Sequence, residues 1–181
     1  MKKIYNLPNL LTIIRLILII PIISLVSFDT KITSLISAIL FVIAGITDLL
    51  DGYIARKYDL VSTFGKLIDP LADKLLTISV LIILVKLHRV PVIFPLIIIA
   101  REFTITGLRA VASSQGIIIS ASQFGKDKTL FQNVSLTCLL IYYPLFGINS
   151  HAVGLFFITI ATFYTIFSGI KYIKDFVSQI E

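Results

Sequence analysis

The sequence predicts an all-α integral membrane protein of six transmembrane helices, and three observations lead there. Hydrophobic residues make up 57% of its 181 positions, and the mean hydropathy is +0.99. A soluble domain holds roughly 45–50% apolar residues. The apolar residues fall into six segments, each near the about 20 residues that cross a bilayer as a helix. Unbroken runs such as LIILV and IIIA also lack the alternation of a membrane-spanning barrel strand. No repeat or low-complexity tract divides the chain, so residues 1–181 read as one membrane domain.

The first span is expected at about 10–28. Its start superficially resembles a signal peptide, but Arg15 lies inside the apolar stretch and no A-x-A site follows, which predicts an uncleaved span. Asp29-Thr30 separates it from a second span at 33–55, and a third is expected at 67–87, with Pro70 in its first turn. His88-Arg89-Val90-Pro91 leads into a fourth at 91–113. The stretch 113–125 is less polar than a usual loop and is expected near the membrane surface. A fifth span follows at 128–147, and Gly147-Ile148-Asn149-Ser150 joins it to a sixth at 152–173.

Six crossings put both termini on one side. Of the sixteen lysines and arginines only Lys31, Lys86 and Arg89 fall on the opposite side, so the positive-inside rule predicts cytoplasmic termini. The net charge of +6 sits mainly at helix ends, which favours anionic lipid headgroups and phosphate-bearing ligands over nucleic acid. The single cysteine, Cys138, lies in an apolar run, has no partner for an intramolecular disulfide, and reads as filler.

Five of the ten acidic residues crowd into TDLLDGYIARKYDLVSTFGKLIDPLADK, positions 47–74. Asp48 and Asp51 share a helix face at i, i+3, as do Asp69 and Asp73 at i, i+4. A hairpin of spans two and three brings both pairs to one depth inside the inner leaflet. Four carboxylates there repel one another and are costly to desolvate. Oxygen-only ligands select hard cations such as Mg²⁺, Mn²⁺ or Ca²⁺, and four suit a pair of ions. Gly52 and Gly65 let a large ligand approach the backbone, Ala55 keeps the next turn narrow, and Arg56 offers a forked donor to phosphate. Together they suggest a diphosphate. Asp59 reads as a solvated loop charge.

The pattern Asp48-x2-Asp51-Gly52-x2-Ala55-Arg56-x8-Gly65-x3-Asp69-x3-Asp73 resembles the signature of the CDP-alcohol phosphotransferases. The resemblance implies six transmembrane helices, usually in a homodimer, enclosing a polar cavity open to the cytoplasm. It implies two divalent ions, Mg²⁺ or Mn²⁺, held by Asp48, Asp51, Asp69 and Asp73, with Asp73 also the catalytic base. Gly52, Ala55, Arg56 and Gly65 would cradle the cytidine diphosphate of a CDP-linked lipid.

The acceptor alcohol is read elsewhere. Span four carries Arg101, Glu102, Thr106 and Arg109, and the two arginines lie a little over two turns apart, able to face one cavity. Gly125-Lys126-Asp127-Lys128-Thr129 follows at the start of span five. Buried cations beyond those needed by the carboxylates call for an anion, which points to a phosphate on the acceptor held by Arg101, Arg109, Lys126 and Lys128, with Glu102 orienting an arginine. These stretches, the start Asn6-Leu7-Pro8-Asn9-Leu10-Leu11-Thr12-x2-Arg15 and the late Ser168-Gly169-Ile170-x-Tyr172 look like the bacterial branch of the family that makes phosphatidylglycerophosphate. That likeness implies CDP-diacylglycerol and sn-glycerol 3-phosphate as substrates in the bacterial inner membrane. It also implies a cavity lined by Asn9, Thr12, Arg15, Glu102 and Thr106. Three alternatives stand beside it. One is a sister enzyme taking an inositol phosphate or phosphatidylglycerol. The others are an intramembrane prenyltransferase, disfavoured because both aspartate pairs lie in one hairpin, and a divalent-cation carrier, which leaves Arg56, Arg101 and Arg109 unexplained.

Overall fold

The computed structural model describes residues 7–58, 63–114, 116 and 123–180. The side chains of Asp51, Ala55, Arg56 and Lys126, all of Asp59 and most of the stretch expected at the membrane surface lie outside the described residues. The described chain forms six helices: α1 (Leu7–Ser27), α2 (Lys31–Lys57), α3 (Thr63–Lys86), α4 (Ile93–Ser114), α5 (Gln123–Ile141) and α6 (Ser150–Ile180). Three contain a stretch long and apolar enough to cross a membrane: Pro8–Ser27, Lys31–Asp48 and Ser150–Gln179.

Helix α1 packs against α2 and α3, α5 against α6 and α2, and α4 against α6. Small residues make the close contacts. Ser34, Ser37, Ala38 and Ala44 are buried on α2, and the Ser37 hydroxyl donates to the Ile22 carbonyl of α1 at 2.8 Å. Such faces let helices approach where lipid supplies no hydrophobic drive. The seam between α5 and α6 is tighter. Ser135 donates to the Gly154 carbonyl at 2.8 Å, and a Cβ on Gly154 would stand 2.7 Å from Leu139 Cγ. The core joins Ile22 and Val26 to Phe41, Val80, Leu84, Leu136, Leu140 and Ile158.

The end of the molecule away from the carboxylates is organised by Arg89, in the turn between α3 and α4 and only 1% exposed. Its Nη1 donates to the carbonyls of Leu140 at 2.7 Å and Leu139 at 3.3 Å, near the negative C-terminal end of α5. Its Nη2 donates to Asp29 Oδ1 at 2.5 Å and Ser34 Oγ at 2.8 Å. The guanidinium carbon lies 4.6 Å from the Tyr142 ring centroid, a cation–π distance. His151 Nε2 lies 2.9 Å from the Arg89 carbonyl. One turn residue thereby ties together the start of α2, the end of α5 and the start of α6.

Three boundaries differ from the sequence reading. Helix α5 occupies 123–141 rather than 128–147. Pro144 disfavours helical geometry at the residue before it, and Tyr142, Phe146 and Gly147 all take positive φ. Helix α3 begins at Thr63, so Pro70 lies inside it, beyond the first turn. There it withholds a helical N–H from the carbonyl of residue 66, between Asp69 and Asp73. Helix α6 runs to Ile180, past the apolar stretch that suggested its span.

Candidate active site

Three polar residues of α1, Asn9, Thr12 and Arg15, lie three apart and are all buried. Two of them reach the aspartates. Arg15 is 0% exposed and its Nη1 contacts Asp48 Oδ1 at 2.5 Å. The Thr12 hydroxyl donates to Asp69 Oδ1 at 2.6 Å. Helix α1 is thus the scaffold that fixes one carboxylate from α2 and one from α3. Asp73, one turn beyond Asp69, is exposed and within electrostatic reach of Asp48, Arg15, Glu102 and Lys128.

Asp73 lines two cavities. The first, about 400 Å³, lies between α2, α3 and α5 and has Asp48 in its wall; most of the rest is apolar, including Phe41, Val42, Ile46, Leu76 and Val134. The second, about 280 Å³, is bounded by α3, α4 and α5 and is polar, with Lys74, Arg101, Glu102, Arg109, Lys128, Gln132 and Asn133 in its lining. Thr77, Thr129 and Asn133 belong to both walls. A hydrophobic tail suits the first cavity and a small polar anion the second, with a carboxylate at their junction.

In the polar cavity Glu102 accepts from two cations, Arg101 Nη1 at 2.9 Å and Lys128 Nζ, which ties α4 to α5. Arg101 Nη2 donates to Ser168 of α6 at 3.2 Å. A Cβ on Gly169 would stand 3.3 Å from Arg101 Cγ, and Arg109 lies over the Tyr172 ring at 5.9 Å. The Ser168-Gly169-Ile170-x-Tyr172 run thus has a physical task, bracing the two arginines of α4. Thr106 is exposed and is not part of either cavity's lining. It back-bonds to the Glu102 carbonyl at 2.6 Å and accepts from Lys74.

The donor set suits hard divalent cations. Asp48, Asp69 and Asp73 offer oxygen alone, and Asp48 and Asp73 repel each other across the first cavity. Among the described residues no group of three acidic, histidine or cysteine side chains makes a metal site by itself. The side chain of Asp51, on the α2 turn after Asp48, lies outside the described ones. Of the candidate cradle, Gly52 lies on α2 and Gly65 is buried on α3.

Sequence reasoning passed over Thr77, Gln132 and Asn133. A signal existed: Lys128 and Gln132 are i, i+4 neighbours on one helix face.

Residues 5–167 match the family model described as CDP-alcohol phosphatidyltransferase. A CDP-diacylglycerol–glycerol-3-phosphate 3-phosphatidyltransferase of Bacillus subtilis is 44% identical over 138 residues, covering 76% of this chain and 72% of the relative. Proteins of the same name from Rickettsia bellii and Haemophilus influenzae are 42% and 35% identical, covering 96% and 94% of this chain and 97% and 92% of the relatives. With that match along nearly its whole length, the chain belongs to the CDP-alcohol phosphatidyltransferase family.

Proposed function

We propose that the protein transfers the phosphatidyl group of CDP-diacylglycerol to sn-glycerol 3-phosphate, giving phosphatidylglycerophosphate and CMP. One observation carries the reading: Asp73 stands where a largely apolar cavity meets a polar, cation-lined one. The donor's lipid side suits the first and the acceptor's phosphate the second, which leaves the reacting hydroxyl and phosphorus beside a carboxylate. The relatives' names supply the same substrate pair. A polar cavity of about 280 Å³ also favours a small phosphorylated polyol over a second lipid.

The primary hydroxyl oxygen of the acceptor forms a bond to the lipid-side phosphorus. The bond from that phosphorus to the bridging oxygen breaks, and CMP leaves with the electron pair. Asp73 takes the hydroxyl proton as general base. Arg101, Arg109, Lys126 and Lys128 hold the acceptor phosphate, with Glu102 orienting Arg101 and Lys128. Arg15 and Thr12 fix Asp48 and Asp69 from behind. Gly52, Ala55, Arg56 and Gly65 cradle the cytidine diphosphate. Asp48, Asp51, Asp69 and Asp73 would hold two divalent ions, Mg²⁺ or Mn²⁺, which when bound neutralise the diphosphate and the departing CMP.

All six helices cross the inner membrane of a bacterium in this reading, with both termini and the carboxylates on the cytoplasmic side, and the chain works as a homodimer. The distribution of cations supports the orientation. The test is CMP release by the full chain in lipid vesicles, supplied with CDP-diacylglycerol and glycerol 3-phosphate, before and after chelation of divalent ions. Release that needs both the acceptor and the ions supports the reading. Release that occurs only with another alcohol would reassign the acceptor.

A further inference from the structure

Gln132 of α5 is 4% exposed, lines the polar cavity, and its Oε1 is buried with no hydrogen-bond partner among the described residues. A carboxamide oxygen only accepts, and leaving one buried and unmet is costly. Four other side chains of this wall, Lys74, Arg101, Arg109 and Lys128, only donate, while Asp73 and Glu102 only accept. Donors suit a phosphate, whose oxygens in turn offer nothing to Oε1. The unmet acceptor therefore calls for a hydroxyl on the same ligand that carries the anion.

On the proposed reaction the acceptor has two hydroxyls. The primary one attacks phosphorus and gives its proton to Asp73. The C2 hydroxyl remains, and its proton needs an acceptor. We propose that Gln132 is a specificity-determining residue that accepts a hydrogen bond from the C2 hydroxyl of glycerol 3-phosphate. The assignment rests on the functional reading above and goes beyond it: the cations recognise any alkyl phosphate, whereas Gln132 recognises the carbon skeleton between phosphate and nucleophile. A site built to bond a substrate hydroxyl discriminates strongly against an analogue that lacks it, because its own polar group is then left unpaired.

The test uses CMP release by the full chain with saturating CDP-diacylglycerol, comparing glycerol 3-phosphate with 3-hydroxypropyl phosphate, which keeps phosphate and nucleophile but lacks the C2 oxygen. The wild type is expected to prefer glycerol 3-phosphate in kcat/KM by roughly ten- to a hundredfold. Gln132→Met collapses that ratio towards one, chiefly by losing activity on glycerol 3-phosphate. Gln132→Glu keeps an acceptor oxygen and so keeps the ratio, even where its charge lowers both rates. A merely structural role would depress both substrates alike in Gln132→Met, and that outcome overturns the assignment. So does a wild-type ratio near one, which needs no variant to fold. A wild type that releases no CMP with glycerol 3-phosphate overturns the functional reading and this assignment with it.

Discussion

Two buried arginines, Arg15 and Arg89, mark opposite ends of the molecule, and each meets an aspartate at 2.5 Å. Around Arg89 charge is distributed: four acceptors share its terminal nitrogens, and two are carbonyls at a helix C-terminus. Around Arg15 negative charge is concentrated. Its partner Asp48 borders a cavity that also holds Asp73, so carboxylates accumulate where a ligand can enter. In the proposed mechanism the first arginine positions a carboxylate of the site, whereas the second joins helices. Burial and an ion pair alone do not distinguish the two; what else borders the partner does.

The sharpest way to break this comparison is at Asp73. Asp73→Asn should lower CMP release by about 10²–10⁴-fold, the range for losing a general base, while thermal unfolding in detergent stays near the wild-type midpoint. Unchanged turnover would remove Asp73 from the chemistry. At the other end, Arg89→Met strips several buried acceptors of a charged donor. It should cost on the order of 3 kcal/mol, seen as a lower unfolding midpoint with near-normal CMP release per folded molecule. Arg15→Met should show the reverse emphasis, with activity falling by more than stability does. Equal profiles for the two variants would erase the contrast. Gly154→Ala probes the seam between α5 and α6 independently of charge. Its Cβ would crowd Leu139, and overpacking of this kind costs about 1–3 kcal/mol, again with activity per folded molecule retained. Thr12→Val should have the smallest effect. It removes one hydroxyl from Asp69, for about 1 kcal/mol and a few-fold loss of turnover.

Much of this contrast was legible in the sequence. Regular aspartate spacing marked one end, and apolar length marked the helices. Arg101 and Glu102 stood out because a charge inside an oily helix must be answered by something. Arg89 was not legible as a joint, because in sequence it is one more turn cation; its partners lie on α2, α5 and the segment between α1 and α2, far from it along the chain. The end of α5 was missed for a different reason. Tyr142 to Ile148 is apolar enough to extend a span, and only Pro144 and three positive-φ residues turn it away. Gln132 was legible only through its i, i+4 spacing from Lys128, since Thr129, Asn133 and Ser135 make the start of this helix polar on several faces.

Helix α6 touches both ends, through His151 beside Arg89 and through Ser168 beside Arg101. Seventeen residues separate these contacts, about 25 Å of helix at 1.5 Å per residue, and a bilayer's hydrocarbon core is about 30 Å thick. The helix is therefore a ruler held at both marks. On the proposed membrane-spanning reading the two marks lie near opposite faces of the hydrocarbon core, and the brace on Arg101 sits at one of them.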